Sequence, residues 1–144
     1  MKISTRGRYA LRVMIDLAEH ASKEAYIPLK DIVKRQEISL KYLEGIMTDL
    51  SKTGLLDAVH GKGGGYRLGR SPEEITVLEI LQTTEGDLAP IACLDSGAEP
   101  CTRAAECRTL PMWEKLYGLI RDFFDGITLA DLMLTGDEGD NYVI

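Results

Sequence analysis

Cysteine, histidine and tryptophan are scarce in this 144-residue chain, at three, two and one respectively. Three cysteines cannot build a disulfide framework, and no C-x2-C pair is present of the kind that structural zinc sites usually contain. Neither histidine, His20 or His60, neighbours a cysteine to act as its base. No cluster of acid and base residues and no nucleotide-binding fingerprint emerges, so the chain is not expected to be an enzyme. No apolar run is long enough to span a membrane. A charged-then-apolar signal segment is also missing at the N-terminus, which makes a cytoplasmic location the expectation.

Net positive charge is lacking too, with a formal total of −6. The distribution matters more than the total. Residues 1–70 hold 13 Lys/Arg and 8 Asp/Glu, a net of +5, whereas residues 71–144 hold 4 and 15, a net of −11. Only the front half suits a polyanion. The acidic rear is a solvated face or a docking surface for a protein partner.

Residues Pro28 to Leu68 organise the rest. Leu29, Ile32 and Val33 have one-face helical spacing, and Pro28 suits a first helical turn, so a short helix is expected from Pro28 to about Lys34. After a link through Gln36, Glu37 and Ile38, Ser39 can cap a second helix. Its apolar face is Leu40, Leu43, Ile46, Met47 and Leu50, and Gly54 marks its end. Strand-like Leu55–Val59, the turn His60-Gly61-Lys62-Gly63-Gly64-Gly65 and strand-like Tyr66–Leu68 follow. Two short helices at a sharp angle let the second enter a DNA major groove, and a glycine-rich hairpin tip with Lys62, backed by Arg67, suits phosphate or a minor groove. The tip lacks the lysine-then-hydroxyl ending of a nucleotide loop.

Around this centre, Ser4 or Thr5 caps a first helix with a buried stripe of Ala10, Leu11, Met14, Ile15, Leu17 and Ala18. Arg6, Arg8 and Arg12 lie in its first turns, where cations oppose the helix dipole. Phosphate contact is one compensating gain. Ser71-Pro72-Glu73-Glu74 and Thr76-Val77-Leu78-Glu79 both read as capping boxes, the second opening a helix to about Thr84. From Glu85 to Thr109 no periodicity is sustained. All three cysteines, Cys93, Cys101 and Cys107, fall in that stretch, and clustered thiolates suit an iron–sulfur cluster or zinc. Unrelated thiols or a redox disulfide pair are the alternatives. A long helix is then expected over Leu110–Phe124, with Met112, Trp113, Leu116, Leu119, Ile120, Phe123 and Phe124 forming a wide apolar stripe that favours a helix–helix interface. Thr128-Leu129-Ala130-Asp131 opens one more short helix, and an acidic tail begins at Gly136.

Assembled, the chain resembles the IscR/NsrR family of bacterial winged helix-turn-helix regulators over nearly its whole length. The likeness is carried by Met1 to Leu11 (MKISTRGRYAL), by Ile38 to Glu44 (ISLKYLE), by His60 to Tyr66 (HGKGGGY), by the three cysteines and by Ile127 to Leu132 (ITLADL). The resemblance implies a mainly α fold with a small β-hairpin wing: a winged helix-turn-helix DNA-binding domain over residues 1–84, a cysteine-containing sensor loop over 85–109, a dimerisation helix with a C-terminal helical turn over 110–135, and the acidic tail over 136–144. It implies a homodimer on double-stranded DNA, with Ser39, Lys41, Tyr42 and Glu44 facing the major groove. Arg6, Arg8, Tyr9, His60, Lys62 and Arg67 complete the expected contact set. It also implies a 2Fe–2S or 4Fe–4S cluster on Cys93, Cys101 and Cys107 whose state alters DNA affinity.

The chain departs from the family pattern at the fourth ligand. Leu110 stands where the cluster-supply regulator has a histidine, and Arg8 stands where some nitric-oxide sensors have an acidic ligand. Asp95, Glu99, Glu106, a partner-subunit residue or an exogenous group all remain open. His60 replaces a frequent wing arginine. Some relatives lack the cysteines, which makes a cofactor-free repressor controlled by a protein partner the alternative function.

Overall fold

The computed structural model describes residues 2–22 and 25–133. Four helices and a hairpin come first: α1 Thr5–Glu19, α2 Leu29–Gln36, α3 Leu40–Lys52, β1 Leu56–Val59, β2 Gly65–Leu68 and α4 Val77–Glu85. A cysteine-bearing stretch with two short 3-10 turns, Ala92–Leu94 and Ala104–Glu106, leads to α5 Leu110–Asp125 and the one-turn α6 Leu129–Leu132. The expected acidic tail, 136–144, lies outside the described residues.

The local signals act as their chemistry requires. The Ser4 hydroxyl accepts the Gly7 N–H at 3.2 Å, and the Ser39 hydroxyl accepts the Tyr42 N–H at 3.3 Å. Each supplies a partner to a donor the helix leaves unpaired. Thr76 and Glu79 form a reciprocal capping box at α4, and Thr128 and Asp131 form another at α6.

Helix α1 lies at the centre, touching α2, α3, α4, α6 and β2. Its Ala10, Val13, Met14 and Leu17 are buried with Ile32, Leu43, Ile46, Met47 and Leu50 from the helix pair. Full burial of each such large side chain contributes about 1.5–3 kcal/mol. A second cluster joins Val77, Leu78, Leu81 and Leu88 to half-buried Ile120 and Phe124 of α5. The junction of α5 and α6 is pinned beside α4: the Val77 N–H reaches the Ile127 carbonyl at 2.9 Å, and the Leu129 N–H reaches that of Ile75 at 2.8 Å.

Strands β1 and β2 pair antiparallel, with Leu56 opposite Leu68 and Val59 opposite Gly65. Ile27 extends the sheet by exchanging two hydrogen bonds with Tyr66, at 2.8 and 2.9 Å. The wing is thus tied to the segment entering α2.

Four expectations are corrected. Pro28 is the cap of α2 and not its first residue, because pairing at Ile27 keeps the backbone extended, with ψ of 141° at Pro28. Leu40 is half exposed, since Ile38 just before it fills the core and the first turn of α3 overhangs. Ser71–Glu74 forms a turn and no helix, because fully buried Ile75 and the Thr76–Thr128 bridge require extended chain there. Glu85 completes α4 and does not open the loop.

Candidate nucleic-acid interface

The exposed side of α3 carries Lys41, Glu44 and Thr48, with Tyr42 half exposed beside them. Between this side and the wing lies an open groove of about 560 Å³, lined by Glu44, Thr48, Val59, His60, Tyr66 and Lys30 among others. Lys30 and Thr48 were not expected at the site, although both sit on the polar faces of their helices. Lys62 is exposed at the wing tip between Gly61 and Gly63, whose φ values of 94° and 79° favour glycine. Arg67 stands lower on the wing stem. Its Nε is 3.6 Å from the Asp57 carboxylate across the hairpin, and its guanidinium lies 4.6 Å from the Tyr26 ring centre.

At the other end of α3, Thr5, Tyr9, Glu37, Ser39 and Tyr42 border a second open cleft. The Tyr9 and Tyr42 rings meet edge to face, 5.8 Å between centres at 89°. Exposed Arg8 donates to the Thr5 hydroxyl at 3.1 Å. Arg6 has a different partner from the phosphate expected of it. Its guanidinium turns inward to the Asp49 carboxylate and donates to the Gly45 carbonyl at 3.0 Å, bracing α1 against α3. That carboxylate is the gain that offsets a cation at a helix N-terminus.

Beneath the interface, Asp16 is the one buried charged residue among those described, at 2% exposure. Burial pushes its carboxyl up. Hydrogen bonds from Arg35 and Gln36, with the charges of Arg35 and His20, outweigh this and hold it below the ordinary carboxylate value.

The three cysteines are free, with Cys93 and Cys101 exposed and Cys107 half exposed. The loop that carries them is closed at its start by the Asp87 carboxylate, which accepts the Ser96 N–H. Hydrogen bonds from the Thr109 hydroxyl and from the Thr109 and Leu110 backbone hold the Cys107 thiol below its ordinary value, helped by Arg103. Among the described residues no three His, Cys, Asp or Glu side chains converge as a metal site. The donor chemistry still fits an iron–sulfur group: three soft sulfur ligands share one accessible segment, and the Cys107 thiol is held below its ordinary value. Next to the loop, α5 exposes Met112, Leu116, Leu119 and Phe123.

Comparison with known proteins decides the family. The Rrf2 family profile, described as an iron-dependent transcriptional regulator, matches residues 3–135. This chain belongs to the Rrf2 family. It is 42% identical over 137 residues to the HTH-type transcriptional regulator IscR of Aliivibrio salmonicida, covering 95% of this chain and 80% of that one. IscR of Vibrio vulnificus is 39% identical over all of this chain and 81% of its own. Among solved structures, T. potens IscR superposes with a TM-score of 0.70 at 35% identity, covering 94% of each chain. CymR, the global cysteine regulator of B. subtilis, superposes with a TM-score of 0.72 at 32% identity, covering 99% of each. As an Rrf2 family member the chain is a winged-helix, DNA-binding transcription regulator and not an enzyme. No helix among the described residues is long and apolar enough to cross a membrane.

Proposed function

We propose that two copies of this chain pair through α5 and bind double-stranded DNA, with operator affinity set by the state of the cysteine loop. Residues 1–84 hold the DNA, 85–109 sense, and 110–135 dimerise. Helix α3 enters the major groove with Ser39, Lys41, Tyr42 and Glu44. The Glu44 carboxylate accepts from a cytosine amine. The wing, with His60 and Lys62, lies at the adjoining minor groove. Arg8 and Arg67 bind phosphate, with Tyr9 at the helix base.

The observation that carries the sensing role is the position of the three free thiols. They occupy one accessible segment between α4, which packs on α1, and α5, which exposes an apolar face. Cys93, Cys101 and Cys107 would hold an iron–sulfur cluster, with the fourth ligand taken from a nearby carboxylate, a partner copy or an exogenous group. A bound cluster supplies a centre sensitive to iron supply, redox state or nitric oxide. To bring the thiols together the loop must fold inward. The end of α4, from which the loop departs, is fixed to the DNA-binding part, because the Glu85 carboxylate accepts from the Ser4 N–H at 3.0 Å and from the Ser4 hydroxyl. A change in the loop can shift the reading helices only by favouring one of their arrangements over another.

The test is the visible absorption spectrum of protein purified without oxygen, with iron and sulfide assays. A brown protein is expected, with the colour lost in Cys101→Ala while far-ultraviolet dichroism is unchanged. A Cys101→Ala protein that still holds a full cluster contradicts the ligand set. A colourless, iron-free protein that cannot be reconstituted supports regulation by a protein partner instead.

A further inference from the structure

We propose that Arg12 is a positioning residue for the reading helix α3 and not a phosphate ligand. This rests on the assignment of α3 to the DNA major groove. Arg12 belongs to the basic front half and is exposed, which by itself would place it on the DNA backbone. Its guanidinium, however, is engaged in the plane and on the face. Nε donates to the Gln36 side-chain oxygen at 3.2 Å, Nη2 donates to the Gln36 main-chain carbonyl, and the guanidinium carbon Cζ lies over the Tyr9 ring, 5.0 Å from its centre.

Gln36 is the place where such a brace acts. It is the last residue of α2, so its carbonyl is among those a helix leaves without a partner. The next residue, Glu37, has φ of 55° and ψ of 42°, and is the one non-glycine at positive φ among the described residues. L-residues resist that conformation, yet here it sets the angle between α2 and α3. The Gln36 side chain is itself anchored, donating at 2.9 Å to the buried Asp16 carboxylate. On the other side, Tyr9 passes the contact to Tyr42 in the first turn of α3. A continuous path, Asp16–Gln36–Arg12–Tyr9–Tyr42, therefore joins a buried anchor to the base of the reading helix and spans the turn between.

Only a planar guanidinium donates in its plane to two oxygens while stacking on a ring; an ammonium keeps the charge but not the fork. The two roles separate on that difference. Affinity is measured by fluorescence anisotropy across a salt series, using a duplex enriched from a random pool by the wild-type protein. The variants are Arg12→Lys, Arg12→Gln, Arg12→Lys with Glu37→Gly, and Arg8→Gln as the phosphate control.

Both Arg12 variants are expected to weaken binding by about tenfold, the order of a lost charge-assisted hydrogen bond. Their salt slopes should match wild type, and the Tyr42 ring resonances should move in Arg12→Lys. Glu37→Gly should restore part of the affinity, because glycine takes positive φ without a brace. Arg8→Gln should instead lower the slope by about 0.9. If Arg12→Lys binds like wild type while Arg12→Gln lowers the slope by about 0.9, Arg12 is a phosphate ligand and the proposal fails alone. If Arg8→Gln also leaves the slope unchanged, the placement of the DNA face is wrong and the Arg12 assignment falls with it. Should Arg12→Gln not fold, Arg12→Lys and its Glu37→Gly rescue decide the matter.

Discussion

Arg35 grips the buried carboxylate of Asp16 with two parallel hydrogen bonds, Nε to Oδ2 at 2.9 Å and Nη2 to Oδ1 at 2.7 Å. This joins the middle of α1 to the end of α2, under the turn that leads to α3. Asp16→Ala should cost about 2 kcal/mol, less than a fully buried pair because Arg35 keeps access to water. Urea denaturation at neutral pH measures it. The pH dependence has a fixed sign. The folded carboxyl titrates below its ordinary value of 3.8, so its contribution is present above that value and is lost as pH falls through the lower, folded one. Wild type should therefore lose stability below about pH 4 more steeply than Asp16→Asn.

Gly65 joins the wing to the body. A Cβ there would stand 2.3 Å from the Ile27 carbonyl oxygen, a backbone atom that cannot swing aside. Gly65→Ala should loosen the Ile27–Tyr66 pairing at a cost of about 1–3 kcal/mol. Thermal melting should register that cost, and DNA affinity should fall while helix content stays.

The exposed face of α5 should hold the dimer. Leu119→Glu and Phe123→Glu place charge on side chains 57% and 49% exposed in the single chain. Neither should disturb the monomer's fold, yet each should shift sedimentation from dimer to monomer. A Leu119→Glu, Phe123→Glu double variant that sediments as a dimer would put the interface elsewhere.

Lys62 at the wing tip is exposed and is expected to meet phosphate. Lys62→Ala should weaken binding to all duplex sequences alike and reduce the salt slope by about 0.9. A sequence-selective loss would instead place Lys62 against bases.

Much of the fold was legible because its signals are local. Ser39, the Thr76–Glu79 pair and Gly126 mark helix ends through bonds within one turn. Where sequence reading missed, a distant partner decided. Nothing in the local sequence marks Asp16 for burial, and its partner Arg35 stands nineteen residues away. The Asp49 partner of Arg6 was not legible, because α3 brings it against α1 from a distant part of the sequence. The Ser71–Glu74 capping signal yields to the docking of Thr128 beside Thr76. Leu40 follows the periodicity of the α3 stripe but lies beyond the edge of the core. The cysteines were legible as chemistry and not as geometry, because no periodic element fixes the loop that carries them.

In the proposed function, the cysteine loop of each chain is coupled to its DNA-binding helices. The most direct measurement is an anaerobic anisotropy titration of the enriched duplex with reconstituted protein and with the same protein after chelator treatment. The two curves should differ by about fivefold or more in affinity, and Cys101→Ala should follow the chelator-treated curve under both conditions. Superimposable curves for reconstituted and chelator-treated wild type would contradict the coupling.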